Sequence, residues 1–229
     1  MTATMSKYQA QTSKLVLVSV ICVVGGLSTC QQQTTPPSQI AQALPQRPVY
    51  KPLPPNAAPE LKKVIDAAVA QAGVTVGYDP KYVRLDYPGG DVPKETGVCT
   101  DVIIRAFRGV GIDLQKEVHE DMVRAWSAYP KRWGLTRPDT NIDHRRVPNL
   151  MTYFGRKQKT VAVTSNAGDY LPGDLVTWDL GGGIDHIGIV TDILSTSGER
   201  CLIAHNVGAG ARVEDVLFSW KITGHYRYF

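Results

Sequence analysis

Four cysteines and five histidines carry the nucleophile and base chemistry open to this chain of 229 residues. Cys99 has the setting a nucleophile needs. It follows a loop rich in Gly, Pro and Asp that ends at Gly97, and it opens a pattern in which Val102, Ile103, Ala106 and Phe107 form one apolar stripe. Thr100 and Asp101 fall in the first turn, where short polar side chains and negative charge suit unpaired N–H groups. A thiol at the positive end of a helix dipole is expected to favour the thiolate, which is the nucleophilic form. It needs an imidazole as base and a further group to orient that base. His186 opens the run HIGIVTDIL after Gly181-Gly182-Gly183 and Asp185, and His205 lies near the end of CLIAHN. As an antiparallel pair, these runs bring the start of one beside the end of the other. The two histidines then become neighbours, as base and orienting residue must be.

The other polar residues have competing readings. Asp101 suits a helix cap or an active-site contact. His144-Arg145-Arg146 could grip a substrate carboxylate bidentately, or pair with Asp139, Asp143 and solvent. Asp185 either flanks the site or belongs to a turn. His119 lacks the second histidine of H-E-x-x-H, so it reads as a solvated helix residue and no metal is expected. His225, among Tyr226 and Tyr228, reads as structural. Oxidation would pair Cys99 with Cys201 in a disulfide. Cys201 and His205 are four residues apart in one strand, about 13 Å at about 3.3 Å per residue. A disulfide needs its Cα atoms within about 7 Å. His205 at the Cys99 site and a bond from Cys99 to Cys201 therefore nearly exclude each other.

Stepping along the chain, Lys7 and Lys14 precede an apolar run from Leu15 to Leu27, too short for a membrane span and suited to an export signal. It ends in Leu27-Ser28-Thr29-Cys30, similar to a lipobox with Thr29 as a departure, and predicts lipidation at Cys30. The alternative is a cleaved signal and a periplasmic product. Residues 1–30 form this segment. Residues 31–58 read as an extended Pro/Gln-rich tether, and eight of the fifteen prolines fall between 31 and 59. The folded domain is expected over 59–229. Helical patterns cover Glu60 to Ala72, the Cys99 helix, Asp113 to Tyr129 with Leu114, Val118, Met122, Ala125 and Trp126 inward, and part of His144 to Phe154. Strands follow at 160–164, 174–180, 186–194, 200–207 and 222–229. Helices first and strands afterwards predict an α+β fold, with an antiparallel sheet packed on the Cys99 helix. The formal charge of +4 without a basic run leaves no nucleic-acid footprint.

Cys99 at a helix start, then GDLV at 173–176, HIGIV at 186–190 and Ile203-Ala204-His205 resemble the NlpC-type branch of the papain-like cysteine peptidases. That resemblance implies Cys99 as nucleophile, His186 as base and His205 as the orienting residue, with Asn206 as fallback. Tyr87-Pro88-Gly89-Gly90 is similar to the family's Y-x-G-G, which implies that the Tyr87 hydroxyl supports the Cys99 N–H in stabilising an oxyanion. Val98-Cys99-Thr100-Asp101 departs from the usual D-C-S-G. Over roughly residues 60–229 the chain also resembles the bacterial family catalogued as domain of unknown function 1287, through YPGGDVP, GVCTDV, NIDHRRVPNL, GDLVTW, HIGIV, HNVG and GHYRYF. The NlpC resemblance implies an envelope cysteine hydrolase acting on peptidoglycan stem peptides, with no cofactor. A second expectation is a non-catalytic envelope lipoprotein that binds wall fragments or a protein partner through the same cleft.

Overall fold

The computed structural model describes residues 47–229. The export core at 15–27, Cys30 and the first part of the expected tether lie outside the described residues. The rest of that tether is not wholly free. Lys51 N–H donates to the Asp192 carbonyl at 2.7 Å and Leu194 N–H to the Val49 carbonyl at 2.8 Å. Residues 49–51 thus run beside the end of a central strand, and ordered chain begins before residue 59.

Four helices come first: α1 (Glu60–Val69), α2 (Cys99–Arg108), α3 (Leu114–Arg124) and α4 (Val147–Arg156). Five strands follow: β1 (Leu175–Asp179), β2 (Asp185–Leu194), β3 (Cys201–Asn206), β4 (Ala211–Glu214) and β5 (Lys221–Tyr226). They form one antiparallel sheet in the order β4-β3-β2-β1-β5. The fold is mixed α+β, in the order the sequence predicts. The differences have local causes. At Ala125 the backbone leaves the helical region (φ −140°), so α3 stops there, and Ala125 and Trp126 are only half-buried, Trp126 still packing against the core. The stretch 160–164 makes a single bridge, Thr160 to Tyr226, and no strand. The unexpected strand, β4, is four residues long, too short to show a clear alternation.

The stripe on α2 is buried as its spacing requires, with Val102, Ile103, Ala106 and Phe107 at 0–1% exposure. It joins Val64, Leu114, Val118, Leu150 and Phe154 from the other helices and Leu175, Ile187, Ile189 and Ala204 from the sheet. The opposite face carries a smaller core of Val176, Trp178, Val190 and Ile203, closed by Tyr170 and Leu217. Each fully buried aliphatic or Phe side chain contributes about 1.5–3 kcal/mol. A one-residue slip of β2 would exchange its two faces and lose that burial, so the register is fixed. Gly173, just before β1, has φ +91°, and a Cβ there would clash with Leu61 Cδ1. α1 therefore packs directly on the GDLV turn.

Asp174 ties the two ends of the sheet region together. Its carboxylate accepts from His225 Nε2 at 2.8 Å, from Arg227 Nε and Nη2 at 2.8 and 2.7 Å, and from Leu171 N–H at 2.8 Å. His225 also meets the Ala162 carbonyl at 3.0 Å and stacks on Tyr170, so its surroundings are those of a packed structural residue. Burial alone would raise the Asp174 pKa, but the hydrogen bonds from Arg227, His225 and Leu171 outweigh it and hold the pKa below the usual carboxylate range. A carboxyl depressed on folding stabilises above its unfolded pKa and loses that contribution as pH falls through the folded one. Replacing Asp174 by Ala should cost about 3 kcal/mol near neutral pH, the lower end for a broken buried pair because Arg227 keeps some solvent. Urea unfolding of both proteins should show that gap at pH 7 and its narrowing in acid below about pH 4. A gap independent of pH would contradict the assignment.

Candidate active site

Cys99 is the first residue of α2 and is 4% exposed. Three features hold it there. Asp101, two residues on, accepts the Val98 N–H at 2.7 Å, fixing the loop-to-helix turn. Asn206 at the end of β3 donates to the carbonyls of Gly77 and Gly97, both at 3.2 Å, tying the preceding loop to the sheet. The backbone N–H groups of Ile187, Cys99 and Thr100 lie near enough to the Cys99 sulfur to pull its pKa down. Even so, burial pushes the thiol up to about 12, against the helix N–H groups that pull it down. The expected preference for thiolate is therefore reversed, because removing the sulfur from water outweighs the helix terminus. Cys99 and Cys201 are both free thiols, and Cys201 is buried in β3.

His186 and His205 are neighbours. His186 Nε2 lies 2.9 Å from His205 Nδ1, and His205 Nε2 lies 3.1 Å from Glu214 Oε2. A carboxylate oxygen can only accept, so His205 donates through Nε2 and accepts at Nδ1 from the His186 Nε2–H. His186 Nδ1 is left as the basic nitrogen. Gly188 permits this contact. It stands opposite His205 in the β2–β3 register, and a Cβ on it would meet Ile203 Cγ2 at 2.6 Å and His205 Cβ at 3.1 Å.

The expected contact between Cys99 and His186 is not made, and the strand alternation explains why. His186 stands opposite Trp178, and its ring centroid lies 5.7 Å from that of Trp178 and 5.9 Å from that of Trp220. It thus shares the face of Val176 and Val190, turned away from the helices, whereas Asp185 and Ile187 share the face of Cys99. Among the described residues no hydrogen bond joins Cys99 to His186. What reaches the sulfur is the backbone N–H of the next residue. Burial, with His205 beside it, lowers His186 to about 3, so thiol and imidazole are both neutral. Burial also lowers His205, against the opposing pull of Glu214.

A cavity of about 220 Å³ opens at Cys99, lined among others by Tyr78, Trp133, Arg145, Arg146, Gly183 and Asp185. Arg145 is engaged behind its wall, forming a buried pair with Asp101 at 3.0 Å and donating to the carbonyls of Asp79 and Lys81. Asp101 is therefore a cap and ion-pair partner rather than a free substrate contact. Asp185 pairs with Arg132 at 2.7 Å across the mouth. His144 is buried outside the lining, its Nδ1 without a partner, and burial with Arg108 and Arg145 nearby lowers it to about 3. Tyr87 packs edge-on against His119 instead of beside Cys99. His119 in turn is not merely solvated, since its Nδ1 lies 3.0 Å from Asp143. Asn206 does not orient His186; it positions the loop before Cys99.

Sequence reasoning missed Tyr78, Trp133 and Glu214. The tyrosine at the cavity is Tyr78, pushed up to about 12 by burial and by Cys99 and Asp101. Glu214 stands on a strand too short to carry a period, and Tyr78 and Trp133 sit in irregular chain without one.

The fold and this cluster of residues belong to a family defined by sequence. The chain is a member of the family described as Domain of unknown function (DUF1287), whose model matches residues 65–228. It is similar to "Uncharacterized protein YijF" of Escherichia coli (strain K12), with 56% identity over 166 residues, 72% of this chain and 80% of that protein.

Two outcomes follow. Both His186 and His144 have folded pKa values below the unfolded value of about 6.5, so the unfolded chain binds protons the folded chain refuses. Stability should fall as pH drops from about 6.5 toward 3, by up to about 1.4 kcal/mol per pH unit for each histidine. Ring-proton NMR should show neither titrating between about pH 8 and 4.5, and a midpoint near 6.5 for either would contradict this. Gly188→Ala should destabilise by about 1–3 kcal/mol and displace the His205 ring. Calorimetry and the His186 and His205 resonances check it, and unchanged resonances would show that Gly188 is not what admits the ring.

Proposed function

We propose that this chain is an exported cysteine hydrolase of papain-like, NlpC-type architecture that cleaves an amide bond in peptidoglycan stem peptides. The observation that carries the reading is the chain of contacts from His186 to His205 to Glu214, set at the start of the strand whose Ile187 N–H meets the Cys99 sulfur. In the proposed reaction His186 presents Nδ1, the nitrogen left unprotonated by the His205 bond, and takes the thiol proton. The ring must turn past the start of β2 to do so. Sulfur attacks the carbonyl carbon, and the N–H groups of Cys99 and Thr100 at the open end of α2 receive the oxyanion, with the Tyr78 hydroxyl at the cavity wall. His186 then protonates the departing amine, and water resolves the acyl-enzyme through the same base. No cofactor takes part. Export through the segment at 1–30, with a lipid on Cys30 holding the domain to the envelope membrane, would place it beside that substrate.

One observation favours a second reading. The thiol is buried and held neutral, and His186 is not among the residues lining the cavity, as a non-catalytic module binding wall fragments would allow. Incubating the protein with purified wall fragments and weighing the products separates the two. The hydrolase should release fragments lighter by one cleaved amide with water added, and Cys99→Ala should lose that turnover by at least about a thousandfold while melting at the native temperature. Binding without any product in the native protein would leave the module.

A further inference from the structure

The charges around the cavity are unequally satisfied. Arg145 is paired with Asp101 and two backbone carbonyls, and Asp185 is paired with Arg132. Among the described residues lining the cavity, Arg146 alone carries a formal charge with no ion-pair or hydrogen-bond partner on its side chain. Its position is nevertheless fixed. The Arg146 carbonyl accepts from Asn149 and Leu150 N–H at 3.0 and 3.2 Å, which makes it the first residue before α4. Its guanidinium carbon lies 4.1 Å from the centroid of the Trp133 ring. That face-on contact orients the guanidinium and leaves its in-plane N–H groups available. Partial burial disfavours its charged form, against the pull of the Asp143 and Asp139 carboxylates, neither of which makes a hydrogen bond or ion pair with it.

We propose that Arg146 is the specificity residue of this cleft and receives a free carboxylate of the substrate, bound bidentately by the guanidinium on its Trp133 platform. The proposal rests on reading the cavity at Cys99 as the substrate site. The ligand class is a peptide carrying an unamidated carboxylate close to the amide bond presented to Cys99. At about 220 Å³ the cavity is below the range of about 300–1,000 Å³ usual for whole small-molecule ligands, so it takes only the residues flanking that bond. Arg145, although adjacent in sequence and in the same wall, does not share this role, because its donors already hold Asp101 and the chain at Asp79 and Lys81.

The test uses the full chain carrying Cys99→Ala, so that binding is read without turnover. The probes are one synthetic stem tripeptide with its carboxylates free and the same peptide with each carboxylate amidated in turn, titrated calorimetrically. One amidated form should bind about ten- to a hundredfold more weakly than the free acid, the range for a hydrogen bond to a charged group. Arg146→Gln should abolish that discrimination, and Arg146→Lys, which keeps charge without the planar fork, should retain part of it. Thermal melting of each variant shows whether it is folded. The comparison of free and amidated peptides on the unaltered Arg146 decides the matter even where a variant is not. Equal binding of all forms, or no binding of any, overturns the proposal. Cleavage of free and amidated peptides at equal rates by the native protein would also overturn it while leaving the hydrolase reading standing. Discrimination that depends on Arg146, with no cleavage by the native protein, would uphold it and remove the hydrolase.

Discussion

The carboxylate of Asp101 is the point on which the cleft depends. It lies almost wholly out of water and serves two partners at once, the Val98 N–H at the mouth of α2 and the Arg145 guanidinium. Arg145 passes the constraint on to the chain at Asp79 and Lys81, next to Tyr78 and Pro80 in the cavity wall. Removing either member would strand the other as a buried charge, a far larger loss than the pair itself contributes. The pair is thus better understood as fixing geometry than as adding stability. It locks a helix terminus, a loop and a turn preceding α4 into one arrangement around a sulfur.

Burial sets the electrostatic character of the place. In water, a helix terminus would tilt a thiol toward its ionised form, and an imidazole would be half-charged near neutrality. In this interior both stay neutral, since each charge alone lacks sufficient compensation. A sulfur–imidazole ion pair could form here only when both charges appear together and close. The intervening sheet backbone keeps the resting groups from doing so.

Much of the scaffold was legible in the sequence, because it is written in periods. The 3.6-residue stripe on α2 and the alternations of β1, β2 and β3 each commit a face to the core, and tertiary packing honours that commitment. The pairing of His186 with His205 followed from the same logic of antiparallel neighbours. What failed was the last step, from strand proximity to facing. The apolar Ile187 and Ile189 claim the helix side of β2, which sends His186 to the other. Tyr78, Trp133 and the redirected Tyr87 were illegible for a different reason. They stand in irregular chain, where long-range hydrogen bonds such as those from Gln115 to the Asp86 and Thr140 carbonyls choose the path, and no local pattern encodes them.

The segment at residues 49–51 joins β2 at its far end, beside Asp192 and Leu194, whereas the cleft opens at Asp185, where that strand begins. Ten residues of extended chain separate the two, about 30 Å at about 3.3 Å per residue. The polypeptide therefore enters the domain at one pole and offers its opening at the other.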